Sequence, residues 1–188
     1  MRSPDFDRLY REDRDPFGVG TRWYEVRKRG LVLASLASPR YRLAWDAAAG
    51  TGHLSGELAQ RAAQVIASDA SAVAISQLTG LPANVSAVRS SLPAIPEGAR
   101  SADLAIVSEV LYYLDDDDRA ATAATLASLQ AEIVSVQWRH HPEDAYCSGA
   151  DADAELADRL QVRFQRHVHH DEPDFVISTY RPRGEDHR

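Results

Sequence analysis

The stretch 43-LAWDAAAGTGHL-54 decides the fold of this chain. An apolar run ends at an acid, Asp46, and small residues with two glycines then lead into a helical pattern. Glycines let the backbone approach a ligand closely, and the first amide groups of a following helix are free to bind it. A second acid, Asp69, ends the next short apolar run. Both acids are therefore predicted to lie at the carboxyl ends of neighbouring parallel strands, where doubly wound sheets bind ligands.

Apolar runs and helical patterns alternate outward from this stretch. Strands are predicted at residues 41–47, 64–68, 84–89, 102–108 and 131–138, and helices at residues 23–36, 53–63, 71–78, 118–129 and 151–160. Two final period-2 segments, 161–168 and 174–180, have no helix between them and predict an antiparallel pair. The pattern predicts an α/β, Rossmann-like fold: a central, mostly parallel seven-stranded sheet with helices on both faces and a terminal antiparallel strand pair.

Composition excludes several classes of protein. A length of 188 residues favours one domain with a short extension. The net charge of -7 argues against nucleic-acid binding, which needs clustered positive charge. No stretch approaches the roughly 20 apolar residues of a membrane span. The lone Cys147 and the absence of an apolar leader are typical of a cytoplasmic protein.

The glycine stretch resembles the D/E-x-G-x-G-x-G motif of class I methyltransferases that use S-adenosylmethionine (SAM). Asp46 matches its acid, and Gly50 and Gly52 match its second and third glycines. Ala48 stands where the first glycine is expected, and its Cβ narrows the loop and disfavours a positive φ. The resemblance implies SAM as the cofactor, with the amino-acid part near the glycines and the ribose on Asp69.

Four further segments resemble the nodulation-protein-S-like (NodS-like) methyltransferases. They are 15-DPFG-18, 21-TRWYEVRKR-29, 108-SEVLYYL-114 and 137-QWRH-140, which are similar to D-P-W-G, T-S-W-Y-E-x-R-K-R, S-E-V-L-Y-Y-L and H-W-R-H of that family. Gln137 departs from the last pattern. This resemblance implies N-methylation of an amino sugar or another polar small molecule. The composition predicts no nucleic-acid or membrane partner, and a monomer or homodimer is expected.

The resemblance also implies a division of the chain. Residues 1–40 are expected to form an N-terminal helical segment that covers the cofactor and substrate site. Residues 41–182 are expected to form the SAM-binding domain, and residues 183–188 a disordered tail.

Further cofactor contacts are predicted around this core. Arg27 is a candidate for the SAM carboxylate, because a guanidinium grips a carboxylate with two hydrogen bonds; a solvated helix arginine is the alternative. Trp23 is expected to cover the cofactor or contact its sulfonium, and simple packing is the alternative. Ser90 or Ser91 is expected near the adenine. The predicted cofactor-binding residues are Trp23, Arg27, Asp46, Ala48, Gly50, Gly52, Asp69, Ala70, Ser90, Ser91 and Ser108.

Methyl transfer to nitrogen is a direct displacement that depends mainly on alignment. A base can therefore be modest or absent. Glu109 is predicted to bind or deprotonate an ammonium group. His140 is predicted to be the general base, because imidazole titrates near neutrality. The predicted catalytic residues are His140, Glu109 and Tyr113, and the predicted substrate-binding residues are Tyr24, Tyr112, Trp138 and Arg139.

Three other functions remain open at the level of sequence. One is O-methylation of a natural-product or sugar hydroxyl. Another is a non-catalytic SAM-binding relative, which Ala48 motivates. The third is a different SAM or nucleotide enzyme on the same fold, because a fold alone does not determine the chemistry. Closely spaced His, Asp and Cys residues at 140–147 and histidines at 167–170 match no compact metal-binding pattern, so no metal site is predicted.

Overall fold

The computed structural model describes residues 4–184. Six helices are defined within that range: α1 (Phe6–Glu12), α2 (Trp23–Ser35), α3 (His53–Leu58), α4 (Ala72–Gln77), α5 (Asp116–Ala127) and α6 (Gly149–Leu160). The strands of the same range are β1 (Tyr41–Asp46), β2 (Ala62–Asp69), β3 (Val85–Arg89), β4 (Leu104–Ser108), β5 (Glu132–Trp138), β6 (Phe164–Asp171) and β7 (Phe175–Pro182). Short 3₁₀ turns lie at Ala99–Ser101 and Leu111–Tyr113.

The strands form one seven-stranded sheet in the order β3-β2-β1-β4-β5-β7-β6. β1 to β5 pair in parallel, and β7 pairs antiparallel with both β5 and β6. This arrangement confirms the predicted fold class. The chain leaves β1 in one direction towards β2 and β3 and returns on the other side to β4. The switch point of the sheet therefore lies between β1 and β4, beside Asp46.

Apolar side chains of the central strands fill two cores, one on each face of the sheet. In β1, Leu43 and Trp45 belong to one core and Ala44 to the other, as the alternation of side chains along a strand requires. α5 and α6 cover the first core, and α2 and α3 cover the second, with Val32 and Leu58 fully buried. Because both faces are covered, these strands are continuous apolar runs.

The predicted helix at 53–63 was too long. α3 ends at Leu58, because Ala62 already pairs with Tyr41 as the first residue of β2. The backbone turns at Arg61, whose amide donates to the Leu58 carbonyl at 2.8 Å. Pairing within the sheet therefore outweighs the local helical pattern of these residues.

α5 and α6 begin two residues before the predicted starts, because a side chain caps each helix. The Asp115 carboxylate accepts a hydrogen bond from the Asp118 amide at 2.9 Å. The Ser148 hydroxyl accepts one from the Asp151 amide at 3.0 Å. Such caps satisfy amide groups that the first helical turn leaves free.

Parts of the predicted N-terminal segment and tail, residues 1–3 and 185–188, lie outside the described residues. Arg183, the first residue of that tail, still donates its amide to Arg163 at 2.8 Å. Between residues 4 and 184, no helix has the length and apolarity needed to cross a bilayer.

Gly149 leaves no room for a side chain. A Cβ there would lie 1.8 Å from the carbonyl oxygen of Trp138 in β5. We expect Gly149→Ala to lower the free energy of unfolding by about 1–3 kcal/mol through overpacking, measured by urea denaturation. Gly30→Ala is the matched control: its Cβ meets nothing within 4 Å, and alanine in a helix interior is favoured by about 0.5–1 kcal/mol. Equal losses in both variants would contradict this account.

Candidate active site

A cavity of about 700 Å³ opens at the carboxyl edge of the sheet. Its walls combine the loops after β1 to β4 with α1, α2, the segment between these helices and the end of β5. Thirteen residues predicted for the site line it: Tyr24, Asp46, Ala48, Gly50, Asp69, Ala70, Ser90, Ser91, Ser108, Glu109, Tyr112, Tyr113 and Trp138. The fold therefore brings together most of the residues predicted for the cofactor and the acceptor.

The loop after β1 depends on two glycines in the left-handed region. Gly50 has φ 50° and Gly52 has φ 74°, values that residues with a Cβ rarely adopt. Gly52 lies just outside the cavity wall and caps α3. Ala48 requires no such conformation: Glu109 is the one non-glycine residue of positive φ within 4–184. Alanine in place of the first glycine of the motif thus causes no left-handed strain.

Asp69 fastens this loop to β2. Its carboxylate accepts hydrogen bonds from the Gly50 amide at 2.9 Å and from the Ser71 amide at 2.8 Å. Burial raises the pKa of Asp69, and the two amides oppose that shift. A carboxylate accepts about four hydrogen bonds. Asp69 therefore retains acceptor capacity towards the cavity.

Asp46 is the most deeply buried carboxylate of the cavity wall, at 1% exposure. One carboxylate oxygen accepts a hydrogen bond from the Ser55 hydroxyl at 2.6 Å. The other is buried and has no hydrogen-bond partner among the described residues. Burial raises the pKa of Asp46 to about 6, against the opposing effect of Ser55. An orphaned buried oxygen at the glycine loop suits a ligand that carries N–H or O–H donors.

Glu109 follows β4 in a strained conformation, with φ 53°. Its amide donates to the Val136 carbonyl at 2.7 Å, and its carboxylate lies 2.7 Å from the Lys28 ammonium. Lys28 also lies 2.8 Å from the Glu25 carboxylate. Burial raises the pKa of Glu109, Lys28 lowers it and Glu25 raises it. Sequence reasoning missed Lys28 and Glu25, although Lys28 stands out as the only lysine of the chain.

Five predicted site residues are not part of the cavity wall: Trp23, Arg27, Gly52, Arg139 and His140. Arg27 lies on the outer side of α2, where its guanidinium makes two hydrogen bonds to Glu172, at 2.8 and 2.5 Å. Arg27 and His170 hold the pKa of Glu172 at about 2. Trp23 begins the same helix with 76% of its surface exposed. Of these two neighbouring aromatic residues at the start of α2, Tyr24 lines the cavity and Trp23 does not.

Arg139 and His140 also form contacts outside the cavity, with acidic residues at the turn between β6 and β7. Arg139 donates to the Asp171 carboxylate at 2.6 Å. His140 Nε2 lies 3.0 Å from the Asp174 carboxylate, with about half of each side chain exposed. These contacts could not be foreseen locally, because some 30 residues separate the partners along the chain.

One cation of the cavity wall was also missed. Arg22 precedes α2 and lines the cavity. Its segment packs on the glycine-loop side, since a Cβ on Gly20 would lie 2.4 Å from the ring of His53 at the start of α3. Within residues 4–184 no carboxylate pairs with Arg22, in contrast to Lys28 and Arg29, which are both ion-paired. Arg22 therefore remains available to an anionic group of a ligand.

The structure assembles no metal centre from the residues that it describes: no three His, Cys, Asp or Glu side chains within 4–184 are placed to hold an ion.

Comparisons with known proteins agree with this geometry. A family profile described as a methyltransferase domain matches residues 44–132. A protein of Pseudomonas syringae, provisionally assigned as a methyltransferase, is 32% identical with a TM-score of 0.70, over 85% of this chain and 99% of that one. Comparison with curated proteins found no match.

Two structures solved with S-adenosylhomocysteine (SAH) share the fold. The N-methyltransferase NodS from Bradyrhizobium japonicum WM9 is 17% identical with a TM-score of 0.78, over 95% of this chain and 96% of that one. DhpI is 23% identical with a TM-score of 0.72, over 94% of this chain and 93% of that one. The chain belongs to the class I SAM-dependent methyltransferases. Membership of the NodS-like group stays a prediction, because this level of identity shows the fold alone.

SAM is therefore the cofactor of this enzyme, and the residues present fit it. The unpartnered oxygen of Asp46 matches a cofactor that carries an ammonium group, and the glycine loop leaves the backbone open to close approach.

The buried carboxylate of Asp46 makes folding stability depend on pH. Its pKa rises from 3.8 in the unfolded chain to about 6 in the folded protein. The folded state thus binds the proton more tightly, so this contribution to stability is complete below about pH 4 and is lost as the pH rises through about 6. We expect wild type to lose up to about 3 kcal/mol over this range relative to Asp46→Asn, measured by urea denaturation. A difference between the two proteins that does not vary with pH would contradict the assignment.

Proposed function

We propose that this enzyme transfers the methyl group of SAM to an amine of a polar, sugar-like small molecule. The observation that carries the proposal is the Glu109 carboxylate, which lies in the wall of the same cavity as the glycine loop. An amine is protonated near neutral pH and must lose a proton before its lone pair can attack a methyl group. A carboxylate can both bind the ammonium and accept that proton.

The cofactor is assigned to the side of the cavity formed by β1, β2 and β3. Asp69 would bind the ribose hydroxyls, and the loop at Ala48 and Gly50 would border the amino-acid part. Ser90 and Ser91, which follow β3 in the cavity wall, would face the adenine. When bound, SAM supplies a methyl group on a positively charged sulfur.

Glu109 replaces His140 in the proposed role of base. Glu109 lines the cavity, whereas His140 is half-exposed and bound to Asp174 outside it. Tyr112 and Tyr113 also line the cavity, and their rings are tilted by 57° with centroids 4.7 Å apart. Burial raises the pKa of both tyrosines, that of Tyr113 to about 12. They therefore stay neutral and shape the acceptor pocket without competing for protons.

The described part of the N-terminal segment, residues 4–40, is proposed to cover the site. Side chains from this segment that line the cavity include Phe6, Tyr10, Phe17 and Tyr24. Tyr24 and Trp138 offer aromatic faces on which a sugar ring can stack. The N-methyltransferase activity of NodS, a protein of the same fold, supports nitrogen as the acceptor atom.

Arg22 is proposed to pair with the carboxylate of the cofactor, in place of Arg27. We expect Arg22→Gln to raise the Kd of SAH about tenfold, because a hydrogen bond to a charged group contributes about 1.5–3 kcal/mol. Arg27→Gln is the matched control: its guanidinium binds Glu172 outside the cavity. Isothermal titration calorimetry with SAH measures both variants. A larger loss in Arg27→Gln than in Arg22→Gln would restore the prediction made from sequence.

The acceptor proposal is tested by transfer of a radiolabelled methyl group from SAM to a matched set of sugars. We expect label in glucosamine and none in N-acetylglucosamine or glucose, which lack the free amine. Glu109→Gln should lower turnover of the amine about 100-fold or more while the Kd of SAH is unchanged. Label in N-acetylglucosamine and glucose, and none on the nitrogen of glucosamine, would identify an O-methyltransferase instead.

A further inference from the structure

The single lysine of this chain lies buried in the wall of the active-site cavity. The Lys28 side chain is 4% exposed, and its ammonium lies 2.8 Å from Glu25 Oε2 and 2.7 Å from Glu109 Oε2. The same ammonium lies 5.0 Å from the ring centroid of Tyr24. Burying an ammonium costs several kcal/mol unless opposite charges compensate it. Glu25, Lys28 and Glu109 thus form one coupled group, the charge triad.

Contacts other than the charge triad anchor α2. Arg29 of the same helix donates to Glu57 at 2.8 Å and also to the Val19 carbonyl. Val32 is 2% exposed in the core under the helix. Arg27 provides a further anchor on the outer side of the helix. The position of the charge triad in the cavity therefore suggests a role beyond helix packing.

When both carboxylates are ionised, the charge triad carries one surplus negative charge. Two carboxylates face one ammonium. Among the described residues, Tyr24, Tyr112 and Tyr113 also interact with Glu109, and these tyrosines are neutral because their pKa values are raised. Of the three side chains, Glu109 is the most open, at 26% exposure against 11% for Glu25 and 4% for Lys28. A positive group that binds beside Glu109 balances the surplus. A neutral group does not balance this charge. An anionic group is repelled, and the repulsion is strong in a site of low dielectric constant.

The backbone conformation of Glu109 also indicates a functional residue. Its φ of 53° is the one positive value at a non-glycine residue within 4–184. Such conformations cost free energy and concentrate at functional sites. The hydrogen bond from its amide to Val136 holds this conformation at the end of β4.

We infer that Glu25, Lys28 and Glu109 form an acceptor subsite that selects a positively charged amine, with Lys28 as its positioning residue. The inference rests on the proposed transfer to an amine. Lys28 holds one carboxylate oxygen of Glu109 and leaves the other for the acceptor ammonium, while Glu25 supplies the surplus charge. The proton passes from the ammonium nitrogen to a Glu109 oxygen. The N–H bond breaks, its electron pair stays on nitrogen as the lone pair, and the carboxylate becomes a neutral carboxylic acid.

The single lysine makes a direct test possible. Protein labelled with ¹³C at the lysine ε-carbon gives one lysine signal from this chain, that of Lys28. In the SAH-loaded protein, we expect glucosamine to shift this signal and N-acetylglucosamine, its uncharged counterpart, to leave it unmoved. The response to glucosamine should be lost in Glu109→Gln. No response to glucosamine, or an equal response to both sugars, would overturn the inference.

Variants separate charge selection from a structural role. We expect Glu25→Gln to raise the KM for glucosamine about tenfold, with kcat within about threefold of wild type and the Kd of SAH unchanged. Glu172→Gln is the matched control, because it removes an ion pair from the same helix outside the cavity. If Glu25→Gln and Glu172→Gln behave alike, the charge triad has no part in acceptor selection.

Lys28 is tested through the pH profile of kcat/KM. Lys28→Met leaves two carboxylates without their cation, so Glu109 should keep its proton to a higher pH. The acid limb of the profile, where kcat/KM falls as Glu109 becomes protonated, should therefore move to higher pH. Lys28→Arg keeps the charge and should restore the limb towards its wild-type position. An acid limb that is identical in all three proteins would refute the positioning role.

The two proposals fail separately. A wild-type protein that shifts its lysine signal with glucosamine, yet methylates no amine, supports the acceptor subsite and refutes the proposed function. A protein that methylates glucosamine while the Lys28 signal stays unmoved refutes the subsite and leaves the proposed function intact.

Discussion

The hydrogen bond from the Gly50 amide to the Asp69 carboxylate is the contact on which the side of the cavity proposed for the cofactor depends. It spans 2.9 Å and joins the loop after β1 to the end of β2. With this loop fastened, Gly52 can start α3 in its left-handed conformation, and Ser55 of that helix reaches Asp46. These two hydrogen bonds together connect the two acids, the glycine turn and the helix that follows. Loss of either partner would leave a largely buried polar group unsatisfied, which costs more than the bond itself contributes.

The two sides of the cavity use carboxylates in different ways. On the side proposed for the cofactor, Asp46 and Asp69 are held by neutral donors, namely a hydroxyl and backbone amides. On the other side, Glu109 faces an ammonium, Lys28, that is shared with Glu25. The first arrangement suits hydroxyl and ammonium donors of a bound ligand. The second is built from charged groups, which supports the proposed selection of a charged acceptor.

α2 connects these regions because each of its sides has a distinct partner. Its inner side presents Tyr24 and Lys28 to the cavity. Arg27 on the outer side binds Glu172, in the turn before β7. The antiparallel pair at the edge of the sheet thus holds in place a helix that belongs to the N-terminal segment. The C-terminal strands thus support a helix of the cavity wall through a contact that lies outside the cavity.

The sequence by itself determined the sheet, the glycine loop and the acids at the strand ends, because these depend on local patterns: apolar runs, positive-φ glycines and the period of side chains. It did not determine where α3 ends, since pairing of Ala62 with Tyr41 decides that. Nor could it place Arg27 and His140, whose partners lie in a turn more than 30 residues away along the chain. Only the tertiary structure decided which charges meet in the cavity, because electrostatic pairing depends on distances in space that sequence spacing does not encode. Lys28 shows the difference: the sequence shows a lone lysine, and the fold buries it between two carboxylates.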